Sequence, residues 1–211
     1  MKIVILGAPG AGKGTQAGLL AGRLGIPTIS TGNLLRAAMQ QGTELGAQVK
    51  DAMDAGRLVP DEMIIQLVRR RLEEEDCQAG YILDGFPRTL AQAQALGGFA
   101  QIDAALSIEV GDEEIERRME GRRICPACQT TYHTESNPPK KEGVCDKCGG
   151  LLVTRRDDTR AVVENRLHIY HEETEPVKEY YRRQGLLAAV RGQDKLADTT
   201  QKVFEALRIS L

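Results

Sequence analysis

The stretch Gly7-Ala8-Pro9-Gly10-Ala11-Gly12-Lys13-Gly14-Thr15 constrains this chain more than any other. It follows an apolar run at residues 3–6 and opens a helical pattern at residues 15–24. A glycine-rich turn between strand and helix lets successive backbone N–H groups point inward, and the helix N-terminus adds partial positive charge. Together these form a cradle for phosphate oxygens. Gly10, Ala11, Gly12, Lys13, Gly14 and Thr15 are the expected phosphate contacts, with Lys13 reaching the terminal phosphates of a nucleotide. The motif departs from its usual form once. Gly14 stands where a hydroxyl residue normally follows the lysine, and the hydroxyl comes one residue later, at Thr15.

Strand and helix signals then alternate. Extended segments are expected at residues 27–30, 81–83, 104–110, 187–190 and 195–197. Helices are expected at 34–41, 44–55, 61–75, 89–99, 112–120 and 159–184, with a last helix after residue 197. This order implies an α/β fold, a mostly parallel sheet with helices on both faces. The 211 residues suit one domain with small insertions. A net charge of −2 supplies no overall basic field for nucleic acid or an anionic membrane. No apolar run approaches the roughly 20 residues that span a bilayer. The short first apolar run leads straight into the glycine motif, so it reads as a buried strand and the chain as cytoplasmic.

Residues 124–153 break the pattern, holding four of the five cysteines and three of the eight prolines. Cys125-x2-Cys128 and Cys145-x2-Cys148 are separated by 16 residues. In a cytoplasmic chain that spacing favours a zinc site over disulfides. Four thiolates close a tetrahedral shell with no open position, so the metal is expected to be structural.

Asp84-Gly85-Phe86-Pro87-Arg88 follows an apolar strand, which places Asp84 to hold Mg²⁺ through water and Arg88 to grip a phosphate with two donors. Arg118 and Arg122 are four apart and expected on one helix face. Arg155, Arg156 and Arg166 flank the far side of the cysteine-rich insertion. The histidines, 133, 168 and 171, have no identifiable nucleophile partner, and the last two are expected on a helix surface. Fixed positive charge without a catalytic histidine suits transfer to an acceptor that is itself a phosphate. Its second pKa near about 6 leaves it anionic at neutral pH.

Further segments are Ser30-Thr31-Gly32-Asn33-Leu34-Leu35-Arg36, Gly121-Arg122-Arg123, Tyr132-His133, Asn137-Pro138-Pro139-Lys140 and Arg155-Arg156-Asp157-Asp158. With the phosphate loop and Leu83–Arg88 they make the chain resemble the adenylate kinase family over essentially its whole length. The resemblance implies reversible phosphoryl transfer from Mg·ATP to AMP, giving two ADP. It implies a single P-loop kinase domain over residues 1–211, three-layered around a five-stranded parallel sheet. A helical AMP-binding insertion would cover 30–59, and a zinc-stapled lid at 122–159 would close and exclude water. Thr31, Arg36, Arg57, Leu58, Val59, Gly85, Phe86, Pro87, Arg88, Gln92, Arg155 and Arg166 would bind AMP. Arg118, Arg122, Thr131, Tyr132 and the backbone at Gln201 would join the phosphate loop around ATP. Lys13, Arg88, Arg122, Arg155, Arg166 and Asp84 would form the catalytic set, and the chain would be a monomer.

Two departures from the family pattern stand out: Asn33, where many relatives carry Asp, and Ser136, where many carry an aromatic. One alternative is a kinase for GMP, UMP or CMP, against which Thr31 and the long lid stand. Another is a nucleic-acid-binding ATPase that uses the cysteine ribbon. Against it stand the net negative charge and the lack of a row of aromatics in that ribbon.

Overall fold

The computed structural model describes residues 1–210. The first half of the chain runs β1 (Lys2–Leu6), α1 (Lys13–Leu24), β2 (Thr28–Ser30), α2 (Thr31–Gln40), α3 (Glu44–Asp54), α4 (Asp61–Leu72), β3 (Tyr81–Asp84), α5 (Leu90–Gly97) and β4 (Ala104–Glu109). The second half runs α6 (Asp112–Glu120), β5 (Arg122–Ile124), β6 (Thr131–His133), α7 (Arg160–Ile169), α8 (Pro176–Arg183), β7 (Leu187–Arg191) and α9 (Leu196–Ala206).

β1 is apolar on both sides, and a strand of that kind must be covered on both faces. It pairs in parallel with β3 and with β4, and the sheet order is β2-β3-β1-β4-β7, parallel throughout. Successive side chains enter opposite layers, as the period of two requires. Ile3 and Ile5 pack with Leu20 of α1, Ile115 of α6, Leu167 of α7 and Phe204 of α9. Val4 and Leu6 pack with Val68 of α4, Leu96 of α5 and Tyr181 of α8. The helices meet these layers through residues four apart, such as Ile64 and Val68, Ile115 and Met119, or Val163 and Leu167. The expected five-stranded parallel sheet is therefore present. Among the described residues no helix is long and apolar enough to cross a membrane.

Three local expectations are corrected. Residues 195–197 are not a strand. Lys195 caps α9, which begins at Leu196, and only β7 pairs with β4 on that edge. The helix expected over 159–184 is interrupted by a π turn at Tyr170–Thr174, where the Glu175 N–H donates to the Tyr170 carbonyl at 2.8 Å. Pro176 has no N–H to continue the regular ladder, and it opens α8. Arg118 and Arg122 do not share a helix face, because α6 stops at Glu120 and Arg122 begins β5. Gly121 makes the break, pressed so closely on the His133 ring that a side chain there would collide with it.

Between Arg122 and Asp158 the chain forms a small unit of its own. β5 and β6 pair antiparallel, and single bridges join Ile124 to Val153 and Val144 to Leu151. Its buried residues are few, chiefly Cys125, Tyr132 and Cys145.

Candidate active site

The site lies at the C-terminal ends of β1, β2, β3 and β4. Gly12 precedes α1 with φ of +95°, a left-handed conformation open to glycine at little strain. Lys13 folds back over its own loop and donates to the carbonyls of Gly7 (2.8 Å) and Ala8 (2.7 Å). Burial pushes its ammonium down to about 8. The Asp84 carboxylate opposes this, and the guanidiniums of Arg88, Arg166 and Arg122 reinforce it. Asp84 ends β3 beside Gly14, where a Cβ would lie 3.4 Å from its Oδ2. The absent hydroxyl at position 14 thus coincides with the approach of this carboxylate.

Five arginines from distant segments are drawn into the same interior. Arg88 Nε donates to the Gly85 carbonyl (2.9 Å), which also accepts from Thr31 Oγ1 (2.9 Å). Arg36 Nη2 donates to Asn33 Oδ1 (2.7 Å), so its partner is neutral. Arg122 holds Asp158 with two donors, and Arg166 Nη1 reaches Asp157 Oδ2 (2.9 Å) and Asp158 Oδ1 (3.6 Å). The Nε atoms of Arg36 and Arg155 are buried without a hydrogen-bond partner. Burial first, and then neighbouring guanidiniums, push Arg155 down to about 9. Arg36, Arg88 and Arg166 are likewise held below the usual guanidinium range. Burial alone would raise the Asp157 carboxyl, but Arg166, Arg36, Arg122 and Arg155 hold it low. Lys13 and these five arginines thus face three carboxylates, Asp84, Asp157 and Asp158.

Two compartments open among them. One is lined by Gly7, Pro9, Lys13, Pro87, Arg88 and Arg166 among others. The second is lined by Thr31, Leu35, Arg57, Leu58, Val59 and Gln92 among others. Leu58, Gly85 and Arg88 belong to both walls. One compartment is lined by the phosphate loop, Lys13 and two arginines, and the other is mostly apolar, its polar side chains being Thr31, Arg57, Arg88 and Gln92.

Not every expected residue joins them. Phe86 is buried in the core below the site rather than lining it. Tyr132 turns into the cysteine cluster. Its hydroxyl lies 3.5 Å from Cys145 Sγ and accepts from the Asp146 N–H at 2.8 Å. Thr131 lies on β6 of the same small unit. Arg118 is held by Glu114 (2.8 Å) and donates to the Gln193 carbonyl (3.2 Å). Gln201 sits within α9, exposed, with its side chain on Glu205 (2.9 Å). Gln193 is thus the residue of this segment that meets Arg118, and only the loop before α9 could have pointed to it. Asp61 and Asn165 also went unread. Asp61 accepts from Gln92 and Thr89. Asn165 Nδ2 donates to the Ala55 carbonyl (3.0 Å), tying α7 to the end of α3.

The four cysteines converge, with all Sγ atoms within 4.8 Å of one another. Cys125 and Cys148 lie 3.4 Å apart, and Cys128 and Cys145 lie 3.5 Å apart. A tetrahedral four-thiolate site with bonds of about 2.3 Å places its sulfurs about 3.8 Å apart. Both pairs sit on the same turn. The carbonyl of the first cysteine accepts from the residue four later, Gln129 or Gly149, each at 2.8 Å. Both of those residues have positive φ, 61° and 74°. The Tyr132 hydroxyl draws the Cys145 thiol down to about 6. The Gly150 amide favours the Cys148 thiolate, but Cys125 and Cys128 outweigh it and push that thiol up to about 12. One thiolate forms easily there, and four together require a cation, so the donors fit a metal.

A sequence profile of the adenylate kinase family matches residues 5–186. The chain belongs to the adenylate kinase family. A protein of Caldicellulosiruptor saccharolyticus named adenylate kinase is 52% identical over 214 aligned residues, covering 99% of this chain and 100% of its own. The adenylate kinases of Acetivibrio thermocellus and Streptomyces griseus are each 48% identical, covering 98% and 100% of this chain and 98% and 99% of their own. In this adenylate kinase family member the phosphate loop, the five arginines, both compartments and all four cysteines fall inside the matched span. Gln193 and Gln201 fall beyond it.

Proposed function

We propose that this phosphotransferase moves the γ-phosphoryl group of Mg·ATP to AMP, reversibly, giving two ADP. The observation that carries the reading is the imbalance of half-buried charge. Six cations with only three carboxylates make an interior that is incomplete without polyanions, and two compartments meet at Arg88 to receive them.

The phosphate loop would take the ATP phosphates and the compartment at Thr31 and Gln92 the AMP base, leaving the phosphates to meet between Lys13 and Arg88. The acceptor needs no general base, since a phosphate monoester is already anionic at neutral pH. In keeping with this, His133 lies on β6, while His168 and His171 are exposed on the α7 side. Asp157 and Asp158 hold Arg122 and Arg166 in place before substrate arrives, so little reorganisation remains at the moment of transfer. Asp84 would hold Mg²⁺ with ATP, and the ion would supply positive charge to the transferring phosphates. Asn33 is engaged with Arg36, which leaves Asp84 as the acid at that place. We read residues 30–59 as the AMP-binding segment and 122–159 as a lid in which Zn²⁺ would replace the core that so short a unit lacks.

The test is ADP formation from Mg·ATP with AMP, GMP, UMP and CMP as acceptors. Rapid turnover with AMP alone is expected. Faster turnover with another monophosphate would keep the charge argument and overturn the assignment of the base compartment. No transfer to any of the four would overturn the activity itself.

A further inference from the structure

Gln92 is 2% exposed and lines the compartment read above as the base site. Its side-chain amide is held at both ends. The Arg88 N–H donates to its Oε1 at 2.7 Å, and its Nε2 donates to Asp61 Oδ1 at 2.6 Å. Asp61 is fixed in turn, its Oδ2 accepting from Thr89 Oγ1 at 2.8 Å. A carboxylate only accepts and a backbone N–H only donates. Rotating the amide by half a turn would set donor against donor at one end and acceptor against acceptor at the other. Two unmatched groups in a buried place would make that orientation strongly unfavourable.

Each end of the amide keeps one unused capacity, a second N–H on Nε2 and a second lone pair on Oε1. Because the amide cannot turn, the order of that donor and acceptor is set. The Watson–Crick edge of a 6-aminopurine offers an acceptor at N1 beside a donor at the 6-amino group. A 6-oxopurine offers the reverse. A free glutamine side chain could serve either edge by flipping.

We propose that Asp61 is a positioning residue that determines base specificity: by locking the Gln92 amide, it makes the pocket read a 6-amino edge and reject a 6-oxo edge. The inference rests on the reading of this compartment as the AMP base site. It goes beyond that reading by assigning the discrimination to a residue that lies behind the one touching the base.

The experiment compares kcat/KM for AMP and for inosine monophosphate, which is close in shape to AMP and carries the reversed edge. The wild-type enzyme is expected to prefer AMP. Asp61→Asn presents either a donor or an acceptor, and should lower the AMP-to-inosine preference by about 10- to 100-fold, mostly through KM. Asp61→Glu keeps an acceptor-only partner and should retain the preference. If Asp61→Asn does not fold, Asp61→Ser, whose hydroxyl also donates or accepts, carries the same expectation. A preference unchanged to within about twofold in the asparagine or serine variant would overturn the inference. So would equal loss in Asp61→Asn and Asp61→Glu, since that marks distortion of the pocket rather than release of the amide. A wild-type enzyme inactive with AMP would instead overturn the proposed activity, whatever the variants do.

Discussion

The sheet core and the cleft above it adjoin but are made of opposite materials. In the core, Ile3, Ile5, Ile82 and Leu106 fill the space between layers with apolar surface, each at most 1% exposed. In the cleft, Lys13, Arg36, Arg88, Arg155 and Arg166 are half-buried beside one another, and loss of solvent disfavours the charge on each. Burial of the first kind stabilises the fold; burial of the second kind opposes it and is relieved when anions bind. Residues that make the protein stable and residues that make it active are thus neighbours with opposite energetic signs.

Lys13→Met should break the comparison most visibly. It is expected to lower kcat by about 10²- to 10³-fold. Thermal stability should be unchanged or higher, since a cation that burial holds down to about 8 is removed. A clear fall in Tm would show that its bonds to Gly7 and Ala8 hold the loop, and would weaken the contrast. Leu106→Ala is the converse. It should destabilise by about 2–5 kcal/mol in denaturant titration while the folded fraction keeps its kcat.

The cysteine unit tests a third kind of burial. Treatment with a chelator, which would strip the proposed Zn²⁺, or replacing Cys145 by Ser, should abolish hydrogen-exchange protection between residues 122 and 158 and leave the β1, β3 and β4 amides protected. Loss of protection in both regions would mean that the sheet depends on the small unit. Asn165→Ala removes the tie between α7 and Ala55, and should raise KM for AMP about 2- to 10-fold with a smaller change in kcat.

The smallest effect concerns His171, whose imidazole is held above its usual range by Glu175 first and by Asp112 in addition, against a lowering by burial. The bonus of the charged form is fully present below the unfolded pKa of about 6.5 and is lost as pH rises through the raised folded value. The ring is 44% exposed, so the gain is on the order of a few tenths of a kcal/mol. His171→Gln should flatten the slope of stability with pH above about 6.5, and an unchanged slope would remove His171 from that role.

What was legible before folding was mostly local. The phosphate loop, the two cysteine pairs and Asp84-Gly85-Phe86-Pro87-Arg88 carry their chemistry within a few residues, so spacing alone placed them. The apolar run of β1 announced a strand covered on both sides. Misreadings arose where a residue's neighbour is distant in sequence. Arg122 seemed to continue a helix because the contact that ends it, His133 against Gly121, lies twelve positions away. The partners of the Tyr132 hydroxyl, Cys145 and Asp146, likewise lie beyond its local sequence. Residues 195–197, Lys-Leu-Ala between Asp194 and Asp198, form a piece too brief to separate strand from helix by period. The partnership of Asp61 with Gln92 spans 31 positions and exists only once α4 and α5 pack.

The register of the sheet carries a consequence for how the chain comes to be folded at all. β1 is made first on the ribosome, yet its partners are Tyr81–Asp84 on one side and residues from Ala104 on the other. Until Tyr81–Asp84 has emerged this largely apolar strand has neither neighbour, and until residue 104 it has at most one, so closing those long loops must precede the full reward from pairing. A segment buried in the finished enzyme is therefore vulnerable during synthesis, and a nascent chain arrested before residue 81 presents Ile3-Val4-Ile5-Leu6 as a hydrophobic edge for chaperones to cover.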